Sequence, residues 1–348
     1  MQFERRADVP IVLLVVAPLG AVATALAFSG ILVAIAGAPV GEAYRRILVG
    51  AFGSRLGITE TLTRATPLIL TGLAAATAFR ARLWNIGGEG QFYLGALTAA
   101  ALGAVGGALP APLLIGALMA AGAVAGMLLL LVPLGLRLRF GVDEVVTTLL
   151  LNFVVLLFVS MMIEGPLRDP LAFGWPQSVH VTPAAVLPKL VKGSRLHIGL
   201  LVALAMSLAV WIIQARTPFG LEARAAGLNP RAAAFAGVSL SGILIRVACL
   251  SGGLAGLAGA IEVLGVKTYV TTDLSPGFGY SGIVVAMLAG LNPFGVVLSA
   301  LFVASMFVGV DGMSRALHVP SFLADVAVSL SLLAMLVALF LVNYRIRR

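Results

Sequence analysis

About ten long apolar stretches divide this sequence of 348 residues, and they constrain its fold more than any other feature. Hydrophobic residues make up 60% of the chain and charged residues only 11%, whereas a soluble domain carries roughly 25% charged residues. So few charges cannot cover a water-facing surface. Because about 20 apolar residues cross a bilayer as a helix, the sequence predicts an all-α polytopic membrane protein with about ten transmembrane helices, some short or broken, in a single domain covering 1–348.

The predicted spans differ in length. The first is too long for the apolar part of a cleaved signal peptide, which has about 7–15 residues, so we expect a retained helix. Segments 66–80 and 281–291 are too short to cross about 30 Å of hydrocarbon, and such segments often mark a translocation path. With ten spans, both termini face the cytoplasm. The predicted spans are 10–36, 66–80, 88–108, 112–136, 145–164, 196–215, 243–265, 281–291, 294–310 and 321–343.

Two connecting segments have recognisable patterns. The predicted outer loop, 165–195, contains five prolines and Trp175, which favours an ordered cap or docking lip. Segment 38–65 combines periodic apolar residues with arginines, a pattern typical of a helix lying on the membrane surface.

Several kinds of chemistry are missing from the sequence. The net charge of +9 is scattered among loops rather than clustered, so it sets membrane orientation and does not indicate a nucleic-acid surface. There is no phosphate-binding loop of the kind that hydrolyses ATP, no nucleophile elbow, and no metal-ligand spacing among the three histidines and Cys249. The sequence therefore predicts no catalytic residue, no metal and no cofactor.

One polar interruption, 216–242, is here named the elbow. Thr217-Pro218 and Asn229-Pro230 each place a capping residue before a proline, which is a typical helix start. Gly227 can end the first helix in a left-handed conformation. The pattern predicts two short angled helices that a cytoplasmic partner grips, with Phe219 and Leu228 as possible anchors; an ordinary solvated loop is the alternative.

A second break separates two predicted spans. Thr66-Pro67 is expected to start the short second span, and Asn85 to Gly88 interrupts the chain. Glu89 and Gln91 then fall in the first turn of the next helix, where the helix dipole favours a carboxylate. Glu89 is either a simple N-terminal helix charge or a group that lines the path or contacts an ATPase.

Other polar groups lie within the spans. Asn152 and Glu262 are deep, and interhelical hydrogen bonding and pathway lining both stay open for them. Arg246 lies near a helix end, from which its side chain can reach the interface. Small residues recur every three or four positions over 251–260, which predicts close helix packing.

Four segments, taken together, resemble the permease subunits of bacterial ABC importers, in the branched-chain amino acid and simple-sugar permease family. The Asn-Ile-Gly-x-Glu-Gly-Gln element is similar to the nucleoside-type branch. Where the family usually has alanine this chain has Gly88, and where it usually has asparagine this chain has Asp143. The four segments are 66–73, 84–91, 219–237 and 279–293.

The resemblance implies a permease of the bacterial inner membrane that works with a cytoplasmic ATP-binding subunit, a second permease subunit and an external substrate-binding lipoprotein. The elbow would be the coupling helix. The implied ATPase-coupling residues are Phe219, Gly220, Glu222, Arg224, Gly227, Asn229 and Pro230. The candidate path residues are Asn85, Glu89, Gln91, Asn152 and Glu262.

The predicted function is thus the membrane-spanning subunit of an ATP-driven importer for a small polar solute, a nucleoside or simple sugar. An ion-coupled secondary transporter is the alternative and would transport without an ATPase. An intramembrane enzyme is a third hypothesis, and it would turn over substrate as the chain alone.

Overall fold

The computed structural model describes residues 2–5, 39–106, 109–317 and 344–347, together with scattered residues within 27–37 and 326–337. Helices dominate the described residues, as predicted. Two four-residue strands, β1 (Gln2–Arg5) and β2 (Tyr344–Arg347), pair antiparallel, with Gln2 opposite Arg347. In chain order the helices are α1 (Val40–Phe52), α2 (Arg55–Arg80), α3 (Gly88–Val105), α4 (Ala111–Phe140), α5 (Glu144–Glu164), α6 (Gly199–Arg216), α7 (Pro218–Leu228), α8 (Pro230–Phe235), α9 (Leu240–Glu262), α10 (Phe278–Leu288) and α11 (Pro293–Leu317).

The chain divides into two compact units. One comprises Met1–Thr61 and Leu301–Arg348. Within it, α1 packs on α11 through glycine, because a Cβ at Gly309 would overlap the Ile47 carbonyl oxygen. The other unit, Leu62–Ala300, contains every predicted site residue. The single domain over 1–348 stays a prediction.

The helices follow the predicted spans. Among the described residues, six helices are long and apolar enough to cross a membrane: α2, α4, α5, α6, α9 with its extension to Lys267, and α11. Helix α3 corresponds to the span predicted at 88–108, and the short α10 corresponds to 281–291. The spans predicted at 10–36 and 321–343 lie largely outside the described residues.

The second span is not short, and Thr66-Pro67 does not start it. Helix α2 has 26 residues, begins at Arg55 and contains Pro67 in its interior. Most of α2 is surrounded by protein, where neighbouring groups can compensate for the missing proline N–H. The hydroxyl of Thr71 donates to the Pro67 carbonyl oxygen (3.0 Å). Of segment 38–65, only 40–52 forms a separate helix.

Glycines join α3, α4 and α9 at the centre of the second unit. Gly256 of α9 lies against the backbone of Gly126 in α4 and of Gly95 in α3, and Gly259 lies against the Phe92 carbonyl. A Cβ atom at any of these contacts would overlap backbone. The packing role predicted for the small residues of 251–260 is therefore confirmed, and α9 is buried along most of its length.

The loop 165–195 is ordered. Its backbone follows the segment after α9: Val181 N donates to the Thr268 carbonyl (2.9 Å) and Leu187 N to the Leu264 carbonyl (2.8 Å). A π-helical turn at Val263–Lys267 ends α9 on this side. Asp169 within the loop accepts hydrogen bonds from Leu171 N and the Gln177 amide, which lower the pKa of its carboxyl group.

Candidate translocation path and coupling elbow

The elbow forms the two short helices that its sequence predicts. The side chain of Thr217 caps α7 by accepting from Gly220 N (3.4 Å), and Asn229 caps α8 by accepting from Ala232 N (3.1 Å). Proline follows each cap as the first helical residue. The elbow is therefore helical on both sides of Asn229, and the alternative of an ordinary loop does not describe it.

Gly227 does not end α7 in the left-handed conformation that the sequence suggested. The helix continues through Leu228 and ends at Asn229, whose backbone is extended. Gly227 is instead buried against α2, where a Cβ atom would overlap the Arg80 carbonyl oxygen. Gly220 likewise lies against the carbonyl of Gln214. Both glycines permit close backbone contact.

The buried side of α7 packs on the ends of three long helices. Ala223 and Ala226 join an apolar cluster with Phe79 from α2, Leu134 from α4 and Val247 from α9. The elbow is therefore in direct contact with the ends of these helices.

Phe219 and Glu222 face the protein as well. The ring of Phe219 packs on this apolar cluster, with the Arg246 guanidinium 5.6 Å from its centre. Glu222 pairs with Arg246 at 3.6 Å. Phe219 thus contacts the permease itself. Arg246, whose side chain was predicted to reach the membrane interface, pairs with Glu222.

The outer side of the elbow is partly apolar. Phe235 is 97% exposed and Leu228 66% exposed, and Asn229 and Pro230 between them are exposed too. Arg224 is also exposed. The elbow therefore exposes large apolar side chains beside polar ones.

The break between α2 and α3 holds a buried hydrogen-bond network. Asn85 is at its centre: its Nδ2 donates to Gln91 Oε1 and to Ser251 Oγ (3.0 Å each), and its Oδ1 accepts from Gln91 Nε2 (2.8 Å) and Gly87 N (3.0 Å). Ser251 Oγ in turn donates to the Ala74 carbonyl (2.8 Å). The network ties the non-helical residues to α9 and α2.

Asn152 connects the same break to α5 and α10. Its Nδ2 donates to the Ile86 carbonyl (3.0 Å) and the Tyr280 hydroxyl oxygen (3.1 Å), and its Oδ1 accepts from Gly90 N (2.8 Å). The side chain is fully buried. Asn152 therefore makes interhelical hydrogen bonds.

Glu89 lies at the start of α3 against the start of α10. Its Oε2 accepts from Gly279 N at 2.6 Å, and a Cβ at Gly279 would overlap the backbone of Glu89. One turn further, the hydroxyl of Tyr93 donates to the Thr272 carbonyl (2.7 Å) and accepts from Ser275 N (3.1 Å). The first turn of α3 thus holds the chain that leads into α10.

The structure brings four of the five path candidates together. Asn85, Glu89, Gln91 and Asn152 surround the same break, whereas Glu262 lies three turns along α9 from Ser251, roughly 16 Å at 1.5 Å per residue. Glu262 is buried, next to the π-helical turn.

Residues that the sequence reasoning did not single out complete the network. Glu144 at the start of α5 accepts from Arg137 (2.5 Å) and from Trp84 N (3.3 Å), so it joins the break to α4 and α5. Ser251 was noted only as part of the small-residue segment 251–260, and Tyr280 only as part of the family-like segment 279–293. Their polar side chains were the one sequence signal for a place in the network. Among the described residues, no group of three or more His, Cys, Asp or Glu could hold a metal ion.

A protein-family model matches most of the chain. Residues 57–342 match the model for the permease component of the branched-chain amino acid transport system. The chain belongs to this permease family. Because the match covers the elbow, the break and all path candidates, the resemblance noted from short segments extends over most of the permease.

Curated relatives agree in length and in type. The permease is 36% identical to the glucose ABC transporter permease protein TsgB13 of Haloferax volcanii, over 99% of this chain and 93% of the relative. It is 34% identical to the guanosine ABC transporter permease protein NupP of Bacillus subtilis, over 91% of both chains. It is 32% identical to the nucleoside ABC transporter permease protein NupB of Lactococcus lactis subsp. cremoris, over 78% of this chain and 77% of the relative. No solved structure matches.

The chain is therefore an ABC transporter permease, a multi-pass protein of the inner membrane that carries solute and is not itself an enzyme. Its family implies an ATP-binding subunit and a substrate-binding protein as partners. An ion-coupled carrier and an intramembrane enzyme do not agree with these relationships.

Proposed function

We propose that the permease imports a nucleoside or a simple sugar, with the break between α2 and α3 as part of the translocation path. The relatives named for glucose, guanosine and nucleosides support this substrate class. The break holds amide and hydroxyl groups on Asn85, Gln91, Asn152 and Tyr280, which bond to protein groups in this conformation and would reach a solute once the break opens. Such neutral donors and acceptors suit the hydroxyl groups and base edges of an uncharged solute.

The observation that carries the proposal is the contact between the elbow and this break. Gly227 of α7 touches the carbonyl of Arg80, only a few residues before the hydrogen-bond network begins at Asn85. An ATP-binding subunit that moves α7 would therefore move one edge of the network. To drive transport, that subunit must bind one of the two conformations more tightly than the other.

The docking surface for the ATP-binding subunit is the exposed side of the elbow, with both termini of the permease on the same cytoplasmic side. Leu228 and Phe235 supply apolar contacts, and Asn229 and Pro230 fix the angle between α7 and α8. Gly220, Gly227, Phe219 and Glu222 act from the inside, since they hold α7 on the helix ends.

The opposite side would receive the substrate-binding lipoprotein. Three exposed residues of the loop 165–195 form an apolar rim there: Leu171, Phe173 and Trp175. A second, related permease chain would complete the transporter as a heterodimer, as the resemblance implies.

Uptake into liposomes and the binding of each partner to variants of the permease test the function. ATP inside the liposomes should drive uptake of labelled guanosine or glucose, and an ion gradient without ATP should not. A double variant, Leu228→Ser with Phe235→Ser, should lose co-purification of the ATP-binding subunit. Phe173→Ser should keep that co-purification and instead weaken capture by the binding protein.

Uptake without ATP would contradict the mechanism. Full co-purification by the double variant would contradict the docking surface while leaving the substrate class untouched.

A further inference from the structure

A cavity of about 380 Å³ lies beside α7, at the point where α2 and α6 end and α11 begins. It is bounded by parts of four helices, α2, α6, α7 and α11. Its main lining residues are Arg80, Trp211, Gln214, Leu221, Arg224 and Pro293.

The cavity carries two positive charges. Arg80 donates a hydrogen bond to the side-chain oxygen of Gln214. The positive charge of Arg224 repels the Arg80 guanidinium. Within 39–106 and 109–317, neither arginine has a carboxylate partner, and no acidic residue lines the cavity. Two guanidinium groups that repel each other in one partly enclosed site favour an anion, which a guanidinium can bind through paired hydrogen bonds.

An apolar strip leads away from this cavity. Helix α6 packs on the start of α11, since Ser207 Oγ donates to the Pro293 carbonyl (2.9 Å) and the rings of Trp211 and Phe294 lie 5.4 Å apart. Five apolar residues on these two helices are exposed next to that contact: Leu204, Leu208, Ile212, Phe294 and Leu298. Both helices are apolar and long enough to span a membrane, so the strip faces lipid.

We propose that the cavity binds the headgroup phosphate of an anionic phospholipid whose acyl chains lie on this strip. Trp211 is placed as tryptophans commonly are at the headgroup level, with the Arg216 guanidinium 5.7 Å from its ring centre. An acidic side chain of a partner protein would satisfy the arginines alone, whereas a phospholipid would also place acyl chains on the adjoining lipid-facing strip. Phosphate and acyl chains together match both parts of the surface.

The lipid would also act on the elbow. Gly220, Leu221 and Arg224 belong to α7 and line the cavity, so a bound headgroup holds α7 against α6. This regulatory consequence rests on the proposed coupling role of the elbow, whereas the binding site itself does not.

Native mass spectrometry of the purified chain in a neutral detergent tests the site. Phosphatidylglycerol should be retained in preference to phosphatidylcholine, and salt should weaken its retention. Arg80→Gln and Arg224→Gln should each lower phosphatidylglycerol affinity about fivefold. Arg139→Gln is the matched control, because Arg139 is exposed in the last turn of α4 and does not line the cavity.

Three results would overturn the proposal. The first is equal retention of the two lipids. The second is displacement of phosphatidylglycerol by millimolar inorganic phosphate, which would indicate a free-anion site. The third is unchanged lipid affinity in both arginine variants combined with loss of the ATP-binding subunit on co-purification, which would assign the cavity to that partner. Arg224 is on the exposed wall, so its variant remains informative if Arg80→Gln does not fold.

Discussion

The backbone of Gly227 lies directly against the carbonyl oxygen of Arg80, with no room for a Cβ atom between them. This contact joins α7, the first helix of the elbow, to the last turn of α2. The chain turns from there into the hydrogen-bond network of Asn85. The elbow therefore contacts the chain just before the hydrogen-bond network.

We expect Gly227→Ala to lower ATP-driven uptake by about tenfold, because the added methyl group must push α7 away from α2 at a cost of about 1–3 kcal/mol. Uptake into liposomes that contain the complete transporter measures this. Gly135→Ala is the control, since a Cβ at Gly135 in α4 meets open space. Equal uptake by the two variants would show that the contact has no part in coupling.

Asn152→Leu should lower the thermal unfolding midpoint of the purified permease. The substitution leaves Gly90 N and the Ile86 carbonyl without their side-chain partner, at about 1–3 kcal/mol for each buried group left unpaired. Intrinsic fluorescence during heating in detergent measures the midpoint. Val154→Ala, a change on the exposed side of the same helix, should have a much smaller effect, and similar midpoints for both variants would count against the network.

Gly259→Ala is expected to prevent correct assembly of the three glycine-packed helices. A Cβ atom there would overlap the carbonyl of Phe92, and both backbones are fixed by further glycine contacts. Folded yield by size-exclusion chromatography should fall several-fold, since overpacking of about 1–3 kcal/mol is a large share of a protein's stability. Gly116→Ala, where nothing lies within 4 Å, should give normal yield; normal yield from Gly259→Ala would refute the tight packing.

Stability should fall on acidification between about pH 6.5 and pH 4 because of His197. Burial, helped by the charge of Lys189, lowers the pKa of this imidazole from 6.5 to about 4. Within that window the unfolded chain binds a proton that the folded chain does not, so stability rises with pH and is complete above about pH 6.5. The full effect is on the order of 3 kcal/mol.

The unfolding midpoint, measured across this pH range, tests the prediction. His197→Gln should flatten the dependence, while His180→Gln, at an exposed position, should retain the slope of the unchanged chain. A slope that survives in His197→Gln would assign the acid sensitivity to other groups.

The sequence by itself determines that this protein lies in a membrane and where the two elbow helices begin. Apolar runs of about 20 residues can form only spanning helices in lipid, and eight of the predicted spans have a helix in the described residues. Thr217 and Asn229 cap the elbow helices as predicted, because a cap is a bond between residues two or three apart.

Only the tertiary structure decided what those residues touch. A proline after threonine starts a helix at Pro218 but lies inside one at Pro67, where α2 is surrounded by protein. Gly227 serves close approach rather than a helix end, which depends on where α2 passes. The partners of Asn152 are 62 to 128 positions away along the chain. Local sequence patterns do not predict such distant contacts, because these contacts form only when complete helices pack together.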